Sequence, residues 1–196
     1  GAVPWKGVDP IAISSQIITA LQTIVAREVN ITQVPAVVTI GSIHGGVRNN
    51  IIPEEVVMEG TIRTFNDEVR KDIHDSIRKK AEMIASASGA TAKVEIFSDI
   101  AKVTFNEPSL TDKMVPSLER VYGKENVKIT PFITGAEDFP FFTDHAPGLY
   151  FFNGVAPDPS KAAPNHSPYF FADERNLKYG TKALTQLAVD YLYLYK

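Results

Sequence analysis

Residues 9–27 read DPIAISSQIITALQTIVAR, and this stretch determines how the first half of the chain is interpreted. An aspartate followed by a proline is typical of a helix start, because the carboxylate can cap the first turn and proline fits the first helical position. Apolar residues then recur every three or four positions, at Ile13, Ile17, Leu21, Ile24 and Val25. This spacing predicts an amphipathic helix over residues 10–28.

The following segments extend the order of elements to α-β-β-α-β. Val37–Ile40 is β-branched throughout, and residues 56–65 alternate between apolar and polar side chains, so each segment predicts a strand. Asn66 can cap a second helix that ends at Gly89, and Lys93–Phe97 predicts a third strand. Because a ferredoxin-like unit has the order β-α-β-β-α-β, we expect its first strand to be missing here.

The second half of the chain has a different composition. It holds nine of the 11 Phe and all seven Tyr, whereas the charges are spread evenly along the chain. We therefore expect two domains, 1–104 and 105–196. Two helices and two strands of a partial α/β domain are predicted in the second: a helix over 110–122 bent by Pro116, strands at Val127–Ile129 and Leu149–Phe152, and a last helix from near Asp173.

Composition excludes several functional classes. Lys and Arg total 20 against 23 Asp and Glu, a net charge of -3, so we expect neither a nucleic acid nor an anionic membrane as partner. No apolar run approaches the ~20 residues of a membrane-spanning helix. The chain has no cysteine, no phosphate-binding loop and no serine-hydrolase elbow. It begins with Gly1 rather than Met, which indicates a processed or cut start.

Two polar segments of the first half could carry chemistry. His44 follows a predicted strand and precedes two glycines, Arg48 and two asparagines, a composition that suits a binding loop on a rigid scaffold. A glycine turn with solvated polar tips is the alternative. Arg63 lies on the polar side of a strand, where a guanidinium could grip a carboxylate with two hydrogen bonds. An ordinary surface arginine is the alternative there.

Two more polar segments lie in the second half. Glu137 and Asp138 follow Gly135 at the end of a predicted strand, where they could cap a helix, bind a metal or orient a neighbour. His166 stands between Pro164 and Pro168 on a stiff segment. It could be a metal ligand or a partly buried structural histidine.

Taken in their order along the chain, the motifs resemble the M20 metallopeptidase family, in its amidohydrolase branch of hippurate hydrolase-like, N-acyl-amino-acid and indole-acetyl-amino-acid hydrolases. The motifs that carry the resemblance are Gly1–Pro10, Gly41–Gly46, Asn50–Glu54, Gly60–Thr64, Gly135–Phe139 and Asn165–Pro168. The likeness covers essentially the whole chain, but only about the C-terminal half of the family's architecture. It implies a ferredoxin-like lid and dimerisation domain without its first strand, followed by the C-terminal part of an α/β catalytic domain.

The resemblance also implies a role for each candidate residue. His44 resembles the lid histidine that reaches the partner subunit's active site and polarises the scissile carbonyl. Asn50 and Arg63 resemble the lid residues that hold the substrate carboxylate. Gly135 lies in the loop that lines the substrate pocket, and His166 resembles a metal ligand.

The partners implied by the resemblance are a second copy of the chain, bound through the lid, and an N-acyl or N-aroyl amino acid or small peptide as substrate. Two divalent metal ions, zinc or else cobalt or manganese, belong to the complete protein. The family's other ligands and its general base lie upstream of the motifs found here. We therefore expect the chain to be inactive without the upstream half of its own protein. The alternative is a non-catalytic ferredoxin-like module that dimerises and binds a ligand.

Overall fold

The computed structural model describes residues 1–97 and 102–194. The chain divides into two compact units, Gly1–Val103 with Thr134–Ala136 and Thr104–Ile133 with Glu137–Lys196. Each unit contains helices joined by segments without regular structure. The first unit also contains a two-stranded antiparallel sheet. None of the helices in these described ranges is long and apolar enough to cross a membrane.

Two helices form one layer of the first unit, α1 (Pro10–Arg27) and α2 (Asp67–Ala87). The Asp9 carboxylate accepts hydrogen bonds from the N–H groups of Ile11 and Ala12, at 2.9 and 3.3 Å. Asn66 caps α2 in the same way. Because capping satisfies N–H groups that have no partner within the helix, the sequence places both helix starts correctly. The two predicted helices are confirmed.

The other layer is a hairpin of β1 (Ala36–Gly45) and β2 (Val56–Thr64). The strands pair from Ala36 with Thr64 to Gly45 with Val56, and a β-bulge interrupts the register between Ile40 and Ser42. Both strands confirm predictions, but β1 continues five residues beyond its predicted end at Ile40.

The core of the first unit lies between the helices and one face of the hairpin. Ile24 and Ile73 are each only 1% exposed. The buried members of this core are Ile13, Ile17, Leu21, Ile24, Val38, Ile73, Ile77, Ala81 and Ala85. The apolar positions that predicted the helices are therefore the ones that the helices bury.

The predicted strand Lys93–Phe97 is not a strand in the structure. Ala92 and Val94 still pack against the core, and burial alternates along this segment. A strand, however, requires a backbone neighbour, and the described part of the chain gives β2 no ladder partner except β1. The alternating pattern correctly predicted which side chains are more buried, but such a pattern does not show whether a neighbouring strand is present.

The second unit contains α3 (Pro108–Tyr122), the short α4 (Pro140–Thr143) and α5 (Leu177–Leu194). Helix α3 continues through Pro116, and α5 follows a 3₁₀ turn, Glu174–Asn176, that begins directly after Asp173. Helices α3 and α5 pack together around Leu118, Val121 and Ala183, with Val127 and Phe151 partly buried beside them.

The predicted strands Val127–Ile129 and Leu149–Phe152 are wrong for this unit, because neither segment has strand structure. A side chain takes the place of a neighbouring strand at Tyr150. The amide of Asn106 donates to the Tyr150 carbonyl at 2.8 Å and accepts from the Tyr150 N–H at 2.7 Å. The segment is thus held by an asparagine rather than by a sheet.

Candidate functional site

The hairpin face opposite the helices carries most of the polar candidates of the first unit. Val37 pairs with Arg63 and Thr39 with Thr61, and paired residues share a face. Beyond the bulge, His44 pairs with Val57. The extra residue of a bulge reverses which residues face outward. As a result, the even-numbered His44 shares the outer face with the odd-numbered Arg63.

His44 therefore lies within β1 and not in a loop after it, which corrects the interpretation from the sequence. The strand extends past the predicted end because the bulge at Gly41 lets the ladder resume at Ser42, whose hydroxyl donates to the Glu59 carboxylate at 3.1 Å. The imidazole is exposed, and no hydrogen bond joins it to any of the described residues. It is therefore accessible to a ligand on the outer face.

Arg63 is half-buried, and its guanidinium donates to the carbonyl of its neighbour Ile62 at 3.1 Å. No carboxylate of the described ranges lies within ion-pair distance of it. A guanidinium offers five N–H donors, so most of its capacity remains for an external anion.

Asn50 and Arg63 belong to opposite ends of the hairpin. Asn50 lies in the exposed loop that joins Gly45 to Val56, whereas Arg63 is near the other end of β2. Val57, the partner of His44, precedes Arg63 by six positions, which is roughly 20 Å at ~3.3 Å per residue. The hairpin of one chain therefore keeps His44 and Arg63 apart.

The loop that carries Asn50 packs closely against Gly1. A Cβ added to Gly1 would lie 2.6 Å from the carbonyl oxygen of Asn50, which is too close for any side chain. Only glycine allows this approach of the two backbones. The first residues of the chain are thereby placed against the loop that carries Asn50.

Gly135 is exposed, in a segment without regular structure. Close to it in sequence is Glu137. The ring of Tyr150 lies 5.2 Å from that of Phe139 between centroids. Burial, followed by interaction with the Glu137 carboxylate, raises the pKa of Tyr150 above its ordinary value.

The carboxylates after Gly135 do not cap a helix. Helix α4 has no side-chain cap, and Phe141 donates instead to the backbone carbonyl of Asp138 at 3.2 Å. Glu137 instead interacts with Tyr150 and contributes to its raised pKa. Sequence analysis missed Tyr150 and Asn106, because an apolar run resembling a strand concealed both contacts. In the sequence, the signal for the interaction with Tyr150 was the Glu137 carboxylate, which had no assigned partner.

His166 is exposed, so it is not a partly buried structural histidine. Its backbone has a φ of 68° in a turn where Ser167 donates its N–H to the Pro164 carbonyl at 3.2 Å. No group of three or more His, Asp or Glu residues within the described ranges could hold a metal ion. His166 is one potential donor, and this chain alone does not surround it with others.

Comparisons with known proteins place these motifs in one family. The sequence profile described as peptidase family M20/M25/M40 matches residues 7–190. A thermostable carboxypeptidase of Saccharolobus solfataricus is 38% identical over 192 residues, which are 97% of this chain and 48% of that protein. An N-acetyl-L-cysteine deacetylase of Bacillus subtilis is 38% identical over 176 residues, 88% of this chain and 40% of the relative.

Solved structures agree. A structure from methicillin-resistant Staphylococcus aureus, assigned as an aminohydrolase, superposes with a TM-score of 0.80 at 27% identity, over 98% of this chain and 49% of that one. A Bacillus subtilis M20 peptidase described as dinuclear metal-binding gives a TM-score of 0.70 at 28% identity, over 95% and 47%. The chain thus spans about half the length of the relatives it matches. With the profile matching nearly all of its length, the chain belongs to peptidase family M20/M25/M40.

Proposed function

We propose that this chain is part of a metal-dependent amidohydrolase that cleaves the amide bond of N-acyl or N-aroyl amino acids or small peptides. The observation that carries the proposal is Arg63. Its half-buried guanidinium has no carboxylate partner in the described ranges, and a carboxylate is the group common to acyl amino acids and peptides. Relatives named as a carboxypeptidase and a deacetylase act on substrates of this kind.

The separation along the hairpin supports a homodimer. A small acyl amino acid is shorter than the roughly 20 Å between Arg63 and the end of the hairpin that carries His44 and Asn50. One substrate could therefore contact both ends only if they came from different subunits. In this proposal His44 polarises the scissile carbonyl in the partner's active site, and Asn50 and Arg63 hold substrate carboxylates in the two sites of the dimer.

We assign the first domain, 1–104, as a ferredoxin-like lid. Helices α1 and α2 form a layer wide enough for about four strands, since packed helices lie ~10 Å apart and strands ~4.8 Å apart. Strands β1 and β2 and the segment ending at Phe97 provide only three. A further strand, first in chain order and lying in the sheet between β2 and that segment, would complete the order β-α-β-β-α-β. Residues 105–196 then form the closing part of the catalytic domain, with Gly135 in the loop lining its pocket.

The side chains of this chain can be compared with the ligands that a two-metal site requires. His166 is one imidazole, and the described residues do not group three candidate ligands around any point. A two-metal site needs several ligands for each ion. The residues present therefore do not form such a site by themselves. We propose that the complete protein binds two divalent ions, zinc or else cobalt or manganese, with His166 as one ligand and the remaining ligands supplied by the upstream half.

The test compares this chain with a longer protein that includes the upstream half. Release of free amino acid from N-benzoylglycine and N-acetylated amino acids is measured with zinc, cobalt or manganese present. We expect turnover by the longer protein and none by residues 1–196 alone. Turnover by this chain alone would contradict the proposed division of the active site. No turnover by the longer protein would instead favour the non-catalytic, ligand-binding module.

Arg63 is tested in the longer protein by Arg63→Ala, with Arg27→Ala on the exposed end of α1 as the matched control. Loss of a hydrogen-bonded charge pair to substrate typically weakens binding by about 2 kcal/mol or more, so we expect KM to rise at least about tenfold. Arg27→Ala should leave KM unchanged. Equal values for the two variants would remove the carboxylate role of Arg63.

A further inference from the structure

Two pairing registers are geometrically available to the end of the hairpin that carries His44. In the structure a β-bulge precedes this end, and His44 pairs with Val57. Without the bulge, the preceding ladder would continue without a shift, and His44 would pair with Val56 instead. His44 would then point to the inner face, on which the core lies, because a shift of one residue reverses the faces. The bulged register is therefore what places the imidazole on the outer face.

Neither the backbone nor apolar packing requires the bulged register. A continuous ladder would keep its main-chain hydrogen bonds without the interruption that a bulge causes. Ile43 and Val57 are 47% and 51% exposed, and the continuous ladder would place these two β-branched residues opposite each other. Such cross-strand pairs are stabilising. Another interaction must therefore favour the bulge.

The extra residue of the bulge, Gly41, does not impose it either. Its φ is not in the left-handed region that favours glycine. A Cβ at Gly41 would have the Glu59 carbonyl oxygen as its nearest neighbour, at 4.0 Å, so the position has room for a side chain. The conformation of this residue gives no reason for the ladder to shift at this point.

One side-chain contact does distinguish the two registers. The Ser42 hydroxyl donates to the Glu59 carboxylate at 3.1 Å, and the two residues are cross-strand partners. In the continuous ladder Ser42 would instead pair with Met58 on the inner face, while Glu59 would stay on the outer face. The hydrogen bond to Glu59 can therefore form in the bulged register only. Hydrogen bonds to a charged acceptor are also the stronger kind.

We propose that Glu59 is a positioning residue, which holds Ser42 on the outer face and thereby selects the bulged register that exposes His44. The functional meaning rests on the proposed role of His44 at the scissile carbonyl, whereas the choice of register does not. Without the Glu59 carboxylate, the end of the hairpin shifts by one residue and the imidazole turns to the inner face.

Disulfide formation can measure the register, because the chain has no cysteine of its own. Two cysteines form a disulfide only where their Cβ atoms point toward each other. Ile43→Cys with Val57→Cys should therefore give little disulfide in the 1–196 chain, where these positions lie on opposite faces. We expect Glu59→Leu to raise this yield at least about fivefold, since a hydrogen bond to a charged group shifts an equilibrium by about tenfold or more.

A second cysteine pair separates a shift of register from general loosening. His44→Cys with Val57→Cys reports the bulged register, and its yield should fall in the Glu59→Leu variant. A rise in both yields would indicate a loosened hairpin and would overturn the proposal. An unchanged yield of the first pair would overturn it as well.

Three variants serve as controls for Glu59→Leu. Glu59→Gln keeps an acceptor oxygen for the Ser42 hydroxyl and should leave the first yield low. Thr61→Leu changes the neighbouring outer-face position of the same strand and should have no effect, so an equal rise there would remove the specific role of Glu59. Ser42→Ala removes the donor and should give the same rise as Glu59→Leu, which keeps the proposal testable if the latter variant does not fold.

The link to catalysis is measured in the longer protein with N-benzoylglycine. Glu59→Leu should lower kcat and leave KM nearly unchanged, as expected when a group that acts in the transition state is withdrawn, and Glu59→Gln should restore kcat. A change in KM alone would contradict the positioning of His44. Because the disulfides form in residues 1–196 without turnover, failure of the proposed function would leave the register result intact.

Discussion

The two units of the chain bury their apolar residues to different extents. In the first, nine residues from two helices and a strand form one continuous core. In the second, the cluster between α3 and α5 has three buried members, while large aromatic side chains remain outside it. Phe132, Phe142 and Tyr169 are 74%, 71% and 84% exposed.

The difference has a physical origin. The helices of the first unit carry aliphatic residues at helical spacing, and these pack with the hairpin into one buried core. In the second unit many apolar residues lie on segments without strand structure, and the described α-helices that pack together are α3 and α5. Large exposed apolar patches are typical of interaction surfaces. The contrast is consistent with our proposal that these residues form only the closing part of a catalytic domain.

The strongest test of this contrast compares two core truncations. Ile73→Ala should lower the free energy of unfolding of the first unit by about 3–4 kcal/mol, because it leaves a cavity in an enclosed core. Leu118→Ala should lower that of the second unit by only about 2 kcal/mol, because a less enclosed site can relax around the loss. Hydrogen exchange of the α2 amides reports the first value and tyrosine absorbance during urea unfolding the second.

Val47→Ala serves as the control for these truncations, since Val47 is 90% exposed and its loss should change stability by less than about 0.5 kcal/mol. If Leu118→Ala costs as much as Ile73→Ala, the second unit is as well packed as the first. The packing of the second unit would then give no support to the proposal that it is only part of a larger domain.

The sequence predicts the secondary structure of the first unit better than that of the second. Asp9, Pro10 and Asn66 act within one turn of chain, so local chemistry alone locates both helix starts of the first unit. The face of His44 could not be predicted, because a single bulge at Gly41 reverses the alternation. Strand assignments failed where no described segment supplies a backbone neighbour, as at Leu149–Phe152.

A smaller effect tests the interaction between Tyr150 and Glu137. Tyr150→Phe removes the phenol hydroxyl that interacts with Glu137 but keeps the ring against Phe139. We expect the second unit to lose at most about 1 kcal/mol, the typical value of one hydrogen bond. Urea unfolding followed by far-UV circular dichroism provides the measurement. Glu137→Gln should cause a similar loss, and the double variant should add little to it. Additive losses would show that the two residues act separately.

The first unit has a corresponding polar contact between its helices. Glu28, directly after α1, accepts from the Ser76 hydroxyl at 2.7 Å and pairs with Lys80 at 2.9 Å. These contacts, that of Lys80 first, lower the pKa of Glu28 below its ordinary value. A lowered carboxyl pKa contributes stability above the unfolded value, and this contribution is lost as the pH falls through the folded one.

Glu28→Gln should therefore lower the unfolding midpoint at pH 7, and its difference from the parent chain should shrink as the pH falls through the lowered pKa of Glu28. Because the pair is partly solvated, the effect should be smaller than that of Tyr150→Phe. Lys80→Gln offers the matched comparison, and combining the two variants should give no further loss. A difference that does not shrink down to the lowest pH at which the chain stays folded would exclude ionisation of Glu28 as its source.

The smallest predicted effect concerns His74, half-buried on α2. Burial, with added repulsion from Arg70 and Arg78, lowers its pKa from the ordinary value of 6.5. The unfolded chain therefore binds a proton at a higher pH than the folded chain, so stability falls as the pH drops below about 6.5. Thermal unfolding between pH 8 and pH 5 should show a shallower decline for His74→Gln than for the parent chain. At pH 8 the two slopes should coincide, because the imidazole is then neutral in both states. Identical slopes down to pH 5 would mean that this side chain stays solvated, and that even the better-packed unit leaves its second helix open to water at this position.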